Sequence, residues 1–157
     1  MSIKLARIDD RLVHGQVTTT WIKQHGIEQI IIINDALAKD QVQSAVLQLA
    51  APAGVRILMF EVDRFIEIYN ANPIKKTTML IYTNPFDVLK TIEGGVEIPY
   101  LNLGGMKFVP GKVQITKAVS LDERDRDTFR KIIAKGVRVE VQMVPGDKKI
   151  FLEELIK

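Results

Sequence analysis

The chain has 157 residues, 46% of them hydrophobic, which excludes wholesale disorder and suits one domain with a sizeable core. Its 22 basic and 19 acidic residues leave a net charge of +3, too little to imply a nucleic-acid partner. The absence of cysteine excludes disulfides, thiol catalysis and cysteine metal sites.

The N-terminus lacks the apolar core of a signal peptide, and the longest aliphatic run, Ile30 to Ile33, is far short of a bilayer span. A cytoplasmic protein of one domain over residues 1–157 is the expectation.

In chain order, Ile3–Ile8 reads as a first strand. Val13, Val17 and Trp21, spaced by four, share one helical face. Gln29–Asn34 holds four consecutive isoleucines, the pattern of a parallel strand covered on both faces. Val42, Ala45, Val46 and Leu49 mark a second stripe on one helical face. Val55–Phe60 is the next strand, followed by a helix through Phe65, Ile66 and Tyr69 that breaks before Pro73. Thr77–Tyr82 is a strand. Asn84-Pro85 starts a helix with a cap residue and a proline at its first position, and Gly94-Gly95 ends it. Tyr100–Leu103, Lys112–Val119 and Val137–Met143 are further strands. Ser120 to Glu123 reads as a capping box before a helix carrying Phe129, Ile132 and Ile133, stopped at Lys135-Gly136. Strand–helix alternation predicts an α/β fold: an open, mostly parallel twisted sheet with helices on both faces, in a single domain. Ligands in such sheets meet loops at the carboxyl ends of strands.

The loop after the first strand concentrates the chemistry. Arg7, Asp9, Asp10, Arg11 and His14 fall within eight positions. An imidazole is a nucleophile near neutral pH, and guanidinium groups match phosphate geometry. The following helix offers amide donors to an anion, and Gly15 permits close approach to the backbone. The set points to a histidine that carries a phosphoryl group. Metal binding needs three or four ligands, and His25, the other histidine, lies about 16 Å along the same helix. A lone loop histidine is otherwise a polar surface group, and Arg/Asp clusters are commonly surface ion pairs of little energy. A histidine-phosphatase reading fails because Val13, not arginine, precedes His14, and no nucleotide-binding glycine loop follows the first strand.

Ala6 to Val17 resembles the active-site loop of the IIB subunits of bacterial sugar phosphotransferase systems, in the mannose/fructose/sorbose family. Asn34-Asp35, Ala51 to Val55, Tyr82 to Pro85, Gly94-Gly95, Asn102 to Met106 and Gly136-Val137 follow in the family's order, so the resemblance covers nearly the whole chain. It implies that His14 accepts a phosphoryl group, on Nδ1, from a phosphohistidine of a IIA protein. It also implies that the group passes to a mannose-, fructose- or sorbose-like hexose arriving through membrane subunits IIC and IID. This chain would meet the sugar only transiently and associate peripherally with the permease. No cofactor, metal or nucleic acid is implied. Arg7, Asp9, Asp10, Arg11, Gly15 and Gln16 would bind phosphate or support the loop, and Thr83, Gly104 and Gly105 would border the site. Gly104-Gly105-Met106 resembles the mannose/sorbose members more than the amino-sugar ones. The alternative is a non-catalytic regulatory or docking module of the same fold, against which the intact Arg7, Arg11 and His14 argue.

Overall fold

The fold is given by a computed structural model that describes residues 2–156, apart from the side chains of Gln16 and Val17. Its centre is strand β2 (Gln29–Ile33), after β1 (Ile3–Asp9) and helix α1 (Gly15–His25). All five residues of β2 are buried, and the side-chain period of two sorts its isoleucines. Ile30 and Ile32 pack with Trp21, Ile22 and Leu37 on one face of the sheet. Ile31 and Ile33 pack with Val62, Phe65, Val88 and Phe129 on the other.

The chain continues through α2 (Asp35–Lys39), α3 (Gln41–Leu49), β3 (Arg56–Phe60), α4 (Val62–Ala71), β4 (Thr78–Tyr82), α5 (Pro85–Glu93) and β5 (Tyr100–Gly105). The hairpin β6 (Val113–Thr116) and β7 (Val119–Leu121) precedes α6 (Glu123–Ala134), β8 (Arg138–Val141), β9 (Ile150–Phe151) and α7 (Leu152–Leu155). The main sheet runs β3-β2-β4-β1-β5-β8-β9, parallel except for the antiparallel edge strand β9. From β1 the chain builds outward on one side, returns with β4, and then places β5 on the other side. The order therefore reverses around β1, opening a crevice at its carboxyl end.

The expected α/β architecture is the observed one, with local differences. The stripe Val42, Val46 and Leu49 is not core: α3 buries no residue, and these side chains are 76%, 59% and 87% exposed. Helical period alone shows that apolar groups share a face, not that anything covers it. The span Lys112–Val119 is a hairpin, not one strand, because the chain reverses at Lys117-Ala118. The capping box sits two residues later than expected. Ser120 is buried in β7, while Asp122 and Asp125 exchange bonds of 2.8 and 3.0 Å with each other's amides. The short elements α2, β9 and α7 lack a periodicity long enough to read. The Asn84 cap forms as expected, accepting from the Asp87 amide at 2.9 Å.

The exposure of α3 makes a sharp contrast. Leu49→Gln should change unfolding free energy by no more than about 0.5 kcal/mol. Ile32→Ala, at a fully buried position, should lose about 2–5 kcal/mol. Urea denaturation of both variants checks this.

Candidate functional site

On β1 the alternation places Leu5, Arg7 and Asp9 on the sheet face that α1 covers. Neighbouring strands add polar groups to that face: Arg7 pairs in register with Asn102 of β5, and Asn102 with Glu140 of β8. A buried cation results. Arg7 is 2% exposed and donates through Nη1 to Asn102 Oδ1 and the Gln142 carbonyl, and through Nη2 to Asp9 Oδ2 (3.1 Å) and the Met143 carbonyl (2.8 Å). Its guanidinium also lies 4.9 Å from the Trp21 ring centroid, and the Trp21 indole donates to the same Met143 carbonyl at 2.9 Å. Burial pulls the Arg7 pKa below its ordinary value, while the Asp9 charge opposes that shift.

Asp9 is 1% exposed. Besides Arg7, it accepts from the Arg11 amide at 3.1 Å and from the Arg11 side chain through Nε (3.1 Å) and Nη2 (3.2 Å). One carboxylate thus holds two arginines on opposite sides. Arg7 is committed to the interior and Arg11 is 43% exposed, with Nη1 unpaired among the described residues.

The loop then turns sharply. Leu12 donates its amide to the Asp9 carbonyl at 3.0 Å and takes φ +62°, a strained value for a side chain that packs against the apolar cluster under α1. Gly15, at φ +50°, begins the helix. His14 is its N-cap, with its amide donating to Thr18 Oγ1 at 2.9 Å. No acidic residue lies in the first turn, so no carboxylate of the helix itself offsets the positive end of α1 beside the imidazole. Nδ1 stands 3.0 Å from the Leu12 carbonyl. Nε2 is buried without a hydrogen-bond partner, 3.8 Å from Asp9 Oδ2.

The other expected residues divide. Asp10 ties the loop to β5 and the chain just after it: its amide donates to the Gly105 carbonyl (3.1 Å) and its carboxylate accepts from the Lys107 amide (2.7 Å). Gly104 and Gly105 lie under the arginines. A Cβ on Gly104 would stand 2.0 Å from Arg7 Nη2, and one on Gly105 would stand 3.2 Å from Asp9 Oδ1. The Gln16 side chain lies outside the described residues. Thr83 accepts from Asn34 (2.9 Å) and Asn84 (3.2 Å) and forms no hydrogen bond to the loop among the described residues. His25 stacks on Trp21 at 5.8 Å, on the far end of α1. Burial, and then the Lys149 charge, lower its pKa. Among the described residues no group of acidic or histidine side chains could hold a metal ion.

Sequence reading did not single out Thr18 or Gln142, and it named Asn102 only as the start of a family landmark, with no role of its own. A polar Asn102 between Leu101 and Leu103 in a buried parallel strand is the available signal. Its pairing with Arg7 depends on strand order, which no local pattern contains.

Comparisons with known proteins agree with this fold. The profile of the PTS system sorbose subfamily IIB component matches residues 3–157. A sorbose-specific EIIB component from Klebsiella pneumoniae is 43% identical over 96% of this chain and 92% of its own length. The mannose-specific EIIAB component of Escherichia coli is 45% identical over 99% of this chain, which spans 49% of that relative's length. The crystal structure of the IIBSor domain of the sorbose permease from Klebsiella pneumoniae superposes with a TM-score of 0.95 at 42% identity, covering 99% of this chain and 96% of that one. Fold and loop together define a phosphotransferase-system component of the IIB type. The chain belongs to the sorbose subfamily of PTS system IIB components.

Gly104→Ala tests the packing beneath the loop. The Arg7 head is a flexible group, but its bonds to Asn102, Gln142, Asp9 and Met143 pin it. The substitution should lose about 1–3 kcal/mol of stability, the usual range for overpacking. Thermal unfolding would show it as a lowered midpoint, and an unchanged midpoint would mean Arg7 moves freely.

Proposed function

We propose that this chain is the phosphocarrier of a sugar permease of the mannose/fructose/sorbose class, with His14 taking a phosphoryl group from a phosphohistidine of a IIA protein. It then passes the group to a hexose entering through IIC and IID subunits. The observation that carries the reading is a single imidazole at a helix N-terminus, at the crevice of a parallel sheet, beside an exposed arginine held in place from below. Phosphoryl transfer asks mainly for positioning and charge stabilisation, and this loop supplies both.

At the reacting centre, the donor's N–P bond breaks as a bond from His14 to phosphorus forms. The donor imidazole departs with the electron pair of the broken bond. For attack by Nδ1, the nitrogen that the family resemblance implies, the ring turns off the Leu12 carbonyl and carries its proton on Nε2. Nε2 already faces Asp9, so the carboxylate is placed to hold that tautomer and ring orientation. Arg11, kept in place by Asp9, neutralises the transferred oxygens. Arg7 is spent on the interior and supports Asp9, so it serves the phosphate indirectly. No helix among the described residues is long and apolar enough to cross a membrane. A cytoplasmic subunit that docks on a membrane permease fits this.

Reconstitution with phosphoenolpyruvate, the general carrier proteins and the matching IIA tests the reading. Acid-labile label should appear on this chain, vanish in a folded His14→Ala variant, and persist in His25→Ala. Label on His14→Ala would remove the assignment.

Arg11→Lys loses the two-pronged bond to Asp9 and presents one point charge to phosphate. A charge-assisted hydrogen bond contributes about 1.5–3 kcal/mol, so transfer should slow roughly tenfold to a hundredfold. Arg11→Ala should be slower still. Rapid-quench transfer from phosphorylated IIA reads both, and wild-type rates would leave Arg11 as a surface ion-pair partner only.

A further inference from the structure

The chain leaving β5 passes the active loop and then turns out into water. The Lys107 amide is bound to the Asp10 carboxylate, so this segment is fastened to the loop that carries His14. The next side chain, Phe108, is 63% exposed, and Val109 beside it is also exposed. Phe108 stands at the edge of an open cavity of roughly 490 Å³ that Arg11, Lys107, Lys117 and Met143 also line. Neither lysine ammonium group forms an ion pair among the described residues. Asp10 is the one acidic group on the cavity wall, and its carboxylate already accepts the Lys107 amide.

A large aromatic left mostly in water beside unpaired ammonium groups has the anatomy of a docking site: an apolar anchor with a charged rim. The rim's sign selects the partner. Whatever brings a phosphohistidine to His14 brings close to two negative charges past Arg11, which lines this same cavity. A neutral hexose has no use for three cations, and a nucleic acid needs a longer basic stripe. In the mannose-specific EIIAB relative, the A and B components share one name, and this chain matches about half of its length.

We propose that Phe108, Lys107 and Lys117 form the docking rim for the phosphorylated IIA donor. Phe108 seats in an apolar hollow of the donor, and the two lysines face acidic side chains around it. The proposal rests on the phosphocarrier reading above. Because Asp10 fastens the rim to the active loop, a donor seated on Phe108 is also placed relative to His14.

Phe108→Ala, Lys107→Glu and Lys117→Glu, compared with the wild type, test it with two phosphoryl donors. One is the phosphorylated matching IIA protein. The other is phosphoramidate, a small molecule that needs no docking surface. With IIA, both charge reversals should lower the second-order transfer rate about tenfold or more at low salt. That gap should narrow as salt shortens the screening length towards roughly 3 Å at 1 M. Phe108→Ala should lower the rate at every salt concentration. With phosphoramidate, all three variants should label as the wild type does. Wild-type rates from IIA in all three variants would overturn the docking role. Equal losses with both donors would overturn it too, by showing damage to the loop. A wild-type chain that takes label from neither donor would instead overturn the phosphocarrier reading itself.

Discussion

The buried pair between Arg7 and Asp9 is the contact on which the rest of the site depends. Two charges removed from water repay their desolvation only when geometry is good and the remaining donors and acceptors are satisfied. Here they are. Arg7 spends its donors on Asp9, Asn102 and two carbonyls of the chain after β8, with the Trp21 ring against its face. Asp9 spends its lone pairs on Arg7 and Arg11. Removing either member would strand the other charge in the core. The pair therefore fixes not only the end of β1 but also its distance from β5 and from the segment after β8.

From that anchor the loop is built outward. Asp9 orients Arg11 and stands 3.8 Å from Nε2 of His14, so one carboxylate holds the exposed cation and lies beside the imidazole. Asp10 fastens the other side of the loop to Lys107. Strain at Leu12 is tolerated because both flanks are held and its side chain is packed. The result is a partly exposed imidazole and an exposed guanidinium built on a buried ion pair. Phosphoryl transfer gains most from such an arrangement, because misplacement of the reacting atoms is what slows it.

The glycines after β5 show how a sheet face and a site become one object. Gly104 lies where the Arg7 head crosses β5, and any side chain there would occupy the guanidinium's space. In the sequence, Gly104-Gly105 reads equally well as a turn. In the structure both are strand residues, and their lack of side chains makes room for the ion pair.

The sequence by itself determined the class of fold, because four consecutive isoleucines and the alternation of strand and helix leave few ways to bury the apolar surface. It also determined the family, and it marked the loop for which a chemical role is proposed, because Arg7 to His14 concentrates charge and imidazole where a parallel sheet exposes its strand ends. It could not say that Arg7 faces inward while Arg11 faces out. Both are arginines near one aspartate, and only the partners brought by β5 and the chain after β8 separate them. It could not place Asn102 or Gln142 beside Arg7, since strand order joins residues about 95 and 135 positions apart. The same limit governed α3 and the hairpin at Lys117-Ala118. Local pattern sets which side chains share a face, whereas the packing of distant segments decides whether that face is covered, turned or left in water.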